Sequence, residues 1–178
     1  FNQLPPSRQS KEAPQMIKNI FGKTGENVWV EAPFHCDYGW NIEVGENFYS
    51  NYNLTILDVG KVTCGKNVQI APNVSIYTAG HPVHPDSRNS GYEYGIPVTV
   101  GDNVWIGGNT VILPGVTVGS NVVIGAGSVV SKDIPDNTIA AGNPCKVIRK
   151  ITDEDRIYYF KKQKFDDEAW EEVKNKNK

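Results

Sequence analysis

The chain has 178 residues, 39% apolar and 21% charged, which fits one globular domain with at most an appendage. Its 18 basic and 20 acidic residues give a net charge of −2, which argues against a nucleic-acid partner. No apolar run is long enough for a transmembrane helix, and no signal peptide is visible. The odd count of three widely spaced cysteines favours a reducing, cytoplasmic setting. Because the chain begins with Phe1 rather than Met, we expect native residues to precede it.

The first predicted element is a helix over Ser10–Phe21, within an N-terminal helical segment that covers 1–26. Its apolar side chains recur at helical spacing, and Gly22 is a stop signal. The residues at that spacing are Met16, Ile17, Ile20 and Phe21. Residues 27–56 read as irregular short strands, in which EVGENF at 43–48 fits a six-residue pattern that becomes regular further on.

A six-residue repeat dominates the rest of the chain. From Val98 the chain reads VTVGDN, VWIGGN, TVILPG, VTVGSN, VVIGAG and SVVSKD. An earlier run reads VTCGKN, VQIAPN and VSIYTA, and the frame slips by two residues just before it. The third residues of the nine hexads are Cys64, Ile70, Ile76, Val100, Ile106, Ile112, Val118, Ile124 and Val130.

A period of six excludes an amphipathic helix. The first and third residues are mostly β-branched and suit short strands, whereas the Gly, Asn, Asp and Pro between them suit tight corners. A chain with a strand and a corner every six residues must coil, so that each turn stacks on the next and the third-position side chains line a shared core. Asparagine can supply the left-handed backbone conformation that such corners require. The corner asparagines are Asn67, Asn73, Asn103, Asn109 and Asn121.

The repeat fails once, between Ile76 and Val100. The core positions there would fall on Pro82, Arg88 and Tyr94, which cannot continue an aliphatic core. We therefore predict an extruded loop over 78–97, and long loops in compact domains are usually functional.

The C-terminal segment, 151–178, is predicted to be a helical tail. Thr152 followed by Asp155 resembles a capping box, and it predicts a short helix near Arg156–Lys161. A second helix is predicted to begin at Asp166.

The hexads resemble those of the hexapeptide-repeat acyltransferases. The resemblance implies an all-β solenoid, a left-handed parallel β-helix of triangular section with three hexads per turn, over 27–150. The hexads themselves carry no information on handedness, and the general preference for right-handed crossovers points the other way.

His81 is the residue best suited to chemistry in the extruded loop. Histidine suits acid–base work near neutral pH, and His81 stands at the root of the loop between Gly80 and Pro82. The alternative is that His81 is only an exposed side chain, or one that forms local hydrogen bonds. His84, in the same loop, is either a neighbour of the site or simply solvated.

The chain further resembles the galactoside and maltose O-acetyltransferases. The resemblance rests on NYNLTILDVG, NVQIAPNVSIYTAGHPVH, RNSGYEYGIPVTVGDNVWIGG and AAGNPCKVIRKI. It implies that His81 is the general base for direct transfer of acetyl from acetyl-CoA to a sugar hydroxyl. It also implies that Asn51 contacts the acceptor and stabilises the transition state, and that Asp37 touches the sugar. The alternatives are a corner role for Asn51 and a turn role for Asp37.

The expected acceptor class depends on one position at which the chain differs from the galactoside-type enzymes. Galactoside-type members carry a sugar-binding Asp where Val59 stands here, whereas the maltose type shows Asp-Val, DYG and RNSG as this chain does. We therefore expect a glucose- or maltose-like acceptor. One acceptor contact in those enzymes can come from the helical segment that precedes the position of Phe1.

Basic residues are absent from Val98 to Ser131 and then return. The phosphates of CoA need such cations, and the pantetheine arm could lie along the uncharged strands. The resemblance assigns the donor contacts to Gly108, Ala126, Ser131, Lys132, Lys146 and Arg149. The family has Thr and Arg where Ser131 and Lys146 stand. The alternative for the cations is a solvated rim of the domain.

Trp105 is expected to line the acetyl or acceptor pocket, or else to fill a subunit contact. The family's sites lie between the subunits of a homotrimer, so we expect His81 of one chain to face the CoA-binding strands of another. Cys36 is not expected to be a nucleophile, because adjacent residues on a strand point to opposite faces and His35 therefore cannot activate it. Cys64 is expected to be an inert buried thiol.

Two other functions were weighed. A zinc enzyme resembling the γ-class carbonic anhydrases needs three His ligands, and the chain has only His35 besides the two in the loop. A non-catalytic solenoid with a flat binding surface needs a regular array of small hydroxyl residues. The outward positions here are mixed Thr, Trp, Gln and Val.

Overall fold

The computed structural model describes residues 1–176, so the last two residues of the predicted C-terminal segment lie outside the described residues. Three sheets of short parallel strands wrap around one core, and successive strands along the chain move from one sheet to the next. We call the sheets faces A, B and C. The chain runs from A to B to C and back to A, and the turns between them are the A–B, B–C and C–A corners.

The strands of each face stack in register. Face A contains Ile42–Val44, Val62–Cys64, Val98–Val100 and Thr117–Val118. Face B contains Val28–Val30, Phe48–Ser50, Gln69–Ile70, Trp105–Ile106, Val123–Ile124 and Thr138–Ala141, and Lys146–Lys150 pairs antiparallel to the last of these. Face C contains Phe34–Cys36, Leu54–Leu57, Ser75–Tyr77, Val111–Ile112 and Val129–Val130.

The core is built from the first and third positions of the hexads. All nine predicted third-position residues are buried, as are the first-position residues beside them. Two of those first positions are polar, and their hydroxyls are satisfied locally. Thr110 Oγ1 donates to the carbonyl of Gly107 at 2.7 Å, and Ser128 Oγ donates to that of Gly125 at 2.5 Å. The prediction of a shared aliphatic core is confirmed.

The corner asparagines adopt the left-handed conformation that the sequence predicts. Those of the A–B corner also form a ladder across successive turns, in which each amide donates to the next at 2.8–2.9 Å. Its members are Asn47, Asn67, Asn103, Asn121 and Asn137. The ladder therefore satisfies side-chain amides at the corner where the chain passes from face A to face B.

The register locates the predicted slip in frame. In the regular part Val100 pairs with Val118, a spacing of 18 residues, whereas Val44 pairs with Cys64, a spacing of 20. The two extra residues of that turn lie at the C–A corner, between Leu57 and Val62. This corner recurs below because it holds a buried carboxylate.

The extruded loop leaves the C–A corner. Its root is a two-stranded hairpin of Ala79–Gly80 with Tyr94–Gly95, and a short helix, Pro85–Asn89, lies beyond. From His81 to Pro97 every residue is exposed except half-buried Pro82. From His81 onward the loop therefore adds little to the core, whereas Thr78, the first residue of the predicted loop, is buried.

The helices at the two ends only partly match the sequence prediction. The N-terminal helix, Pro6–Ile20, begins four residues before the predicted Ser10, and it buries Ile17 against the first turn of the coil. The helix predicted near Arg156–Lys161 is wrong. The capping box of Thr152 and Asp155 opens a 3₁₀ helix, Asp153–Ile157, which ends where the strand Tyr158–Phe160 pairs with Gln163–Lys164 as a hairpin.

The last helix, Asp167–Lys176, begins one residue after the predicted position. The side chains of Phe165 and Trp170 stack there, with 6.2 Å between ring centroids. Across residues 1–176, none of the helices has the length and apolar character needed to cross a bilayer.

Candidate functional site

The predicted site residues gather at two corners of the coil. Asp37, His81, Ser131 and Lys132 follow strands of face C and lie at the C–A corner or in its loop. Asn51, Gly108 and Ala126 follow strands of face B and lie at the B–C corner, and Lys146 pairs beside it. Trp105 is on face B itself, and Arg149 is on the antiparallel strand that covers the end of that face.

His81 is held by a hydrogen bond across the loop. Its Nδ1 lies 3.0 Å from the carbonyl oxygen of Tyr92. A carbonyl can only accept, so Nδ1 carries the hydrogen and the neutral ring keeps a lone pair on Nε2. The side chain is about half exposed, and Nε2 is 3.9 Å from Oε1 of Glu93. This arrangement leaves Nε2 open to receive a proton from a bound molecule.

Close backbone packing fixes the root of the loop. A Cβ atom on Gly80 would lie 2.5 Å from the ring of Tyr94, and one on Gly95 would lie 2.7 Å from the backbone nitrogen of Gly60. Backbone contact therefore requires glycine at position 95, whereas a side chain at position 80 would displace the ring of Tyr94. The packing ties the loop to the two-residue insertion at the C–A corner.

Asp37 lies beside a buried carboxylate at the same corner. Asp58 is fully buried, and its carboxylate accepts hydrogen bonds from the backbone N–H groups of Asp37, Tyr38 and Gly39. Partial burial raises the pKa of the Asp37 carboxyl, and the charges of Asp58 and Glu93 raise this pKa further. The influence of Glu93 indicates that Asp37 and the His81 loop belong to one electrostatic cluster.

Asn51 presents a fixed amide at the B–C corner. Its Oδ1 accepts the backbone N–H of Tyr52 at 2.8 Å, so the oxygen is turned towards the main chain and the Nδ2 group is left as the donor. The backbone N–H of Asn51 donates to the carbonyl of Ile70 in the next turn. Asn51 is therefore also a corner residue, and both of its predicted roles are compatible with the structure.

Three of the predicted donor contacts form a row along the B–C corner. The N–H of Gly127 donates to the carbonyl of Gly108 at 2.8 Å, which stacks Ala126 on Gly108 in successive turns. Ala141 follows in the next turn and pairs with Lys146. The row leads from small, uncharged residues to a cation.

Ser131 and Lys132 lie at the far edge of face C from this row. The strand Val129–Val130 of face C runs between Ala126 and Ser131, so the two groups of predicted donor contacts lie at opposite edges of that face. The same separation divides Asn51 from the corner that carries His81.

Arg149 is engaged by a neighbour. Its guanidinium donates two hydrogen bonds of 2.7 Å to the two carboxylate oxygens of Asp155. This bidentate pair, with the backbone N–H of Thr152, holds the pKa of Asp155 well below its usual range. Arg149 and Lys150 line an open cavity of about 590 Å³ together with Lys161 and Lys162.

The remaining candidates are Trp105, His84 and two cysteines. Trp105 is 54% exposed on face B. His84 caps the short loop helix, with Nδ1 accepting the N–H of Asp86 at 3.2 Å. Burial raises the pKa of the Cys36 thiol to about 11 and that of Cys64 to about 12, so neither is a thiolate near neutral pH.

The histidines do not form a metal centre. Within residues 1–176 there is no group of three or more His, Cys, Asp or Glu side chains placed to hold a metal ion. His35 lies on the strand Phe34–Cys36 of face C, whereas His81 and His84 belong to the exposed loop.

Two polar residues near His81 were missed by sequence reasoning. Nothing in the sequence distinguishes Glu93 from the other polar residues of the loop. Asp58 has a signal that could have been used, because it lies where the hexad frame slips by two residues.

Comparison with known proteins agrees with the repeat and the fold. Residues 97–132 match the bacterial transferase hexapeptide family (six repeats). A galactoside O-acetyltransferase of Escherichia coli is 55% identical over 164 residues, which are 92% of this chain and 80% of that protein.

Solved structures show the same architecture. A galactoside acetyltransferase in complex with coenzyme A is 55% identical, with a TM-score of 0.90 over 93% of this chain and 82% of that one. A maltose O-acetyltransferase from Clostridium difficile is 56% identical, with a TM-score of 0.83 over 86% and 81% of the two chains. The prediction of a left-handed parallel β-helix is confirmed. The chain belongs to the hexapeptide-repeat acetyltransferases, in the group of the galactoside and maltose O-acetyltransferases.

Proposed function

We propose that this chain transfers the acetyl group of acetyl-CoA to a hydroxyl of a glucose- or maltose-like sugar, with His81 as the general base. The observation that carries the proposal is the Nδ1–H hydrogen bond of His81 to Tyr92, which leaves Nε2 free as a base in an exposed loop. Relatives more than 50% identical are named O-acetyltransferases, and one of them is bound to coenzyme A.

The reaction is a direct transfer. Nε2 of His81 takes the proton of the acceptor hydroxyl while the hydroxyl oxygen attacks the thioester carbonyl carbon. The C–S bond then breaks, and the departing thiolate of CoA takes up the proton from His81. The Nδ2 group of Asn51 faces outward because Oδ1 is held by Tyr52, so it can donate to negative charge that develops in the transition state.

We propose that Asp37 and Trp105 contact the acceptor. Asp37 accepts hydrogen bonds from sugar hydroxyls, and the exposed indole of Trp105 lines the pocket on face B. The donor lies along Gly108 and Ala126, and its phosphates meet Lys146 and Arg149, with Ser131 and Lys132 on the other side.

These roles require a second copy of the chain. His81 belongs to the C–A corner and Asn51 to the B–C corner, and face C separates the two corners of one chain. In a closed threefold ring each C–A corner faces the B–C corner of the next copy, which completes both the acceptor site and the donor site. We therefore propose a homotrimer with three sites between subunits. Sedimentation that finds an active monomer at assay concentration would overturn it.

The function is tested with a panel of acceptors. Purified protein is mixed with acetyl-CoA and glucose, maltose, galactosides or amino sugars, and free CoA is followed with a thiol reagent while the product is identified by mass spectrometry. We expect acceptor-dependent CoA release that is highest with glucose or maltose. If none of the hydroxyl acceptors gives CoA release, the proposal is refuted.

We also propose that the protein works in the cytoplasm, since its three cysteines are free thiols.

A further inference from the structure

We propose that Asp58 is a positioning residue that holds the segment 37–39 in place, so that Asp37 faces the acceptor beside the His81 loop. The proposal rests on the proposed function, because it concerns how the acceptor is held. Asp58 belongs to the two-residue insertion at the C–A corner, outside the regular hexads.

The carboxylate of Asp58 accepts three consecutive backbone N–H groups. Oδ1 accepts those of Asp37 at 3.0 Å and Tyr38 at 2.9 Å, and Oδ2 accepts that of Gly39 at 2.7 Å. Hydrogen bonds to a charged group are roughly twice as strong as neutral ones. Because all three donors belong to one turn, the carboxylate fixes the path of the chain there rather than a single contact.

Asp58 is itself held rigidly. Its carbonyl oxygen accepts the side-chain amide of Asn41 at 2.8 Å, which closes the turn from its other end. The hydroxyl of buried Thr78 accepts the N–H of Gly60 at 2.8 Å and donates to the carbonyl of Leu57 at 2.6 Å. The insertion is therefore fixed on both sides of Asp58.

Burial makes the carboxylate of Asp58 depend on its hydrogen-bond donors. Asp58 has no solvent exposure, so an ionised carboxylate there depends on the three N–H groups for its stabilisation. If segment 37–39 moved away, the charge would be left buried without partners. The exposed ring of Tyr38 in this segment stacks on that of Trp40, which lies just beyond it, with 4.9 Å between centroids. The carboxylate thus anchors an otherwise exposed segment.

Electrostatics links the same residues to the site. Burial, Asp58 and Glu93 all raise the pKa of the Asp37 carboxyl, and Glu93 is the residue beside Nε2 of His81. Displacement of segment 37–39 would therefore move Asp37 at the C–A corner and leave the hydrogen bond of His81 to Tyr92 in place. The displacement should therefore weaken binding of the acceptor and leave binding of acetyl-CoA unchanged.

The test is Asp58→Asn. The amide keeps the shape but replaces one acceptor oxygen with an N–H₂ group that opposes a backbone N–H. We expect the KM for the sugar to rise by roughly 10- to 100-fold, which corresponds to about 1.4–2.7 kcal/mol. The KM for acetyl-CoA should not change. Hydrogen exchange of the amides of residues 37–39 should become faster in the same variant.

The matched control is Asp102→Asn. Its carboxylate also accepts a backbone N–H, that of Lys66 at 2.7 Å, but it lies at the A–B corner away from the site. We expect wild-type kinetics from it. If Asp58→Asn does not fold, Asn41→Ala loosens the same turn more gently and should give a smaller rise in acceptor KM only.

A double variant separates positioning from general destabilisation. When Asp37→Ala is already present, Asp58→Asn should raise the acceptor KM little further, because the two changes act through one contact. An unchanged acceptor KM in Asp58→Asn, equal rises in both KM values, or full additivity with Asp37→Ala would overturn the proposal. Failure of the wild-type protein to acetylate any acceptor would refute the proposed function instead, and the exchange measurement still decides whether Asp58 holds the segment.

Discussion

The Nδ1–H of His81 donates to the main-chain carbonyl of Tyr92, eleven residues along the loop, at 3.0 Å. The bond joins the root of the extruded loop to the segment just before its return strand, Tyr94–Gly95. It fixes the tautomer of a histidine whose other nitrogen faces solvent, and a backbone carbonyl provides this without a dedicated side chain. Tyr94 then packs on Gly80, so the residue before the histidine cannot move independently.

Replacing His81 with alanine should lower kcat by about 10²–10⁴, the usual contribution of a general base. The side chain is half exposed and contributes nothing to the core, so the unfolding temperature should be unchanged. The measurement is steady-state CoA release at saturating sugar. His84→Ala is the matched control, since that ring caps the loop helix, and it should retain wild-type kcat. Equal losses in the two variants would remove His81 from its role.

Cys36→Ser should leave kcat unchanged. The thiol is half-buried, and its burial with the charges of Asp58 and Asp37 raises its pKa to about 11. A raised pKa keeps the thiol neutral below that pH, so it is a poor nucleophile in the physiological range. Mass spectrometry should find slow alkylation of Cys36 by iodoacetamide at pH 7.5, with a rate that increases up to about pH 11. Loss of activity in Cys36→Ser would revive a covalent route.

Lys146→Ala should raise the KM for acetyl-CoA by roughly tenfold or more, since a hydrogen bond to a charged group contributes about 1.5–3 kcal/mol. The contact is remote from the reacting carbonyl, so kcat should change little. Lys66→Ala is the control, because this lysine lies at the A–B corner, away from the donor row. A wild-type KM in Lys146→Ala would mean that the basic cluster is only a solvated rim.

Arg149→Ala should raise the pKa of Asp155 towards its ordinary value, because the bidentate pair is the main cause of the lowered pKa. A lowered folded-state pKa stabilises the fold above the unfolded pKa, and this stabilisation is lost as the pH falls through the folded pKa. NMR titration of the Asp155 carboxyl carbon measures the change. An unaltered titration would show that the capping interactions with Thr152 alone set its pKa.

The solenoid was predictable because its sequence repeats a local rule. Val100 and Ile106 bury their side chains for the same reason as their counterparts in the other turns, and most left-handed corner positions hold asparagine. The helix predicted near Arg156–Lys161 failed because the capping box was correctly read but says nothing about length. The aromatic residues Tyr158–Phe160 form a strand directly after the 3₁₀ helix.

The site was less predictable because its residues come together through breaks in that rule. His81 could be found, since a histidine in an interrupted repeat stands out. The partnership of Asp58 with the N–H groups of residues 37–39 depends on a two-residue insertion whose direction the sequence does not reveal. Arg149 could be identified as a cation, but its pairing with Asp155 follows from the 3₁₀ turn beyond it.

Mixed trimers test the division of the site between corners. Subunits that carry His81→Ala and subunits that carry Asn51→Ala should each be nearly inactive alone. In a mixed ring, one boundary joins an intact His81 to an intact Asn51, while the other two boundaries are each defective. Mixed rings freed of both parental trimers should therefore show about a third of the wild-type activity. The measurement is CoA release after the two variants are co-expressed with different tags and doubly purified, beside a mixture of the separately folded proteins as the control. If His81 and Asn51 of the same chain formed the site, no combination would recover activity, and the proposed intersubunit arrangement would be wrong.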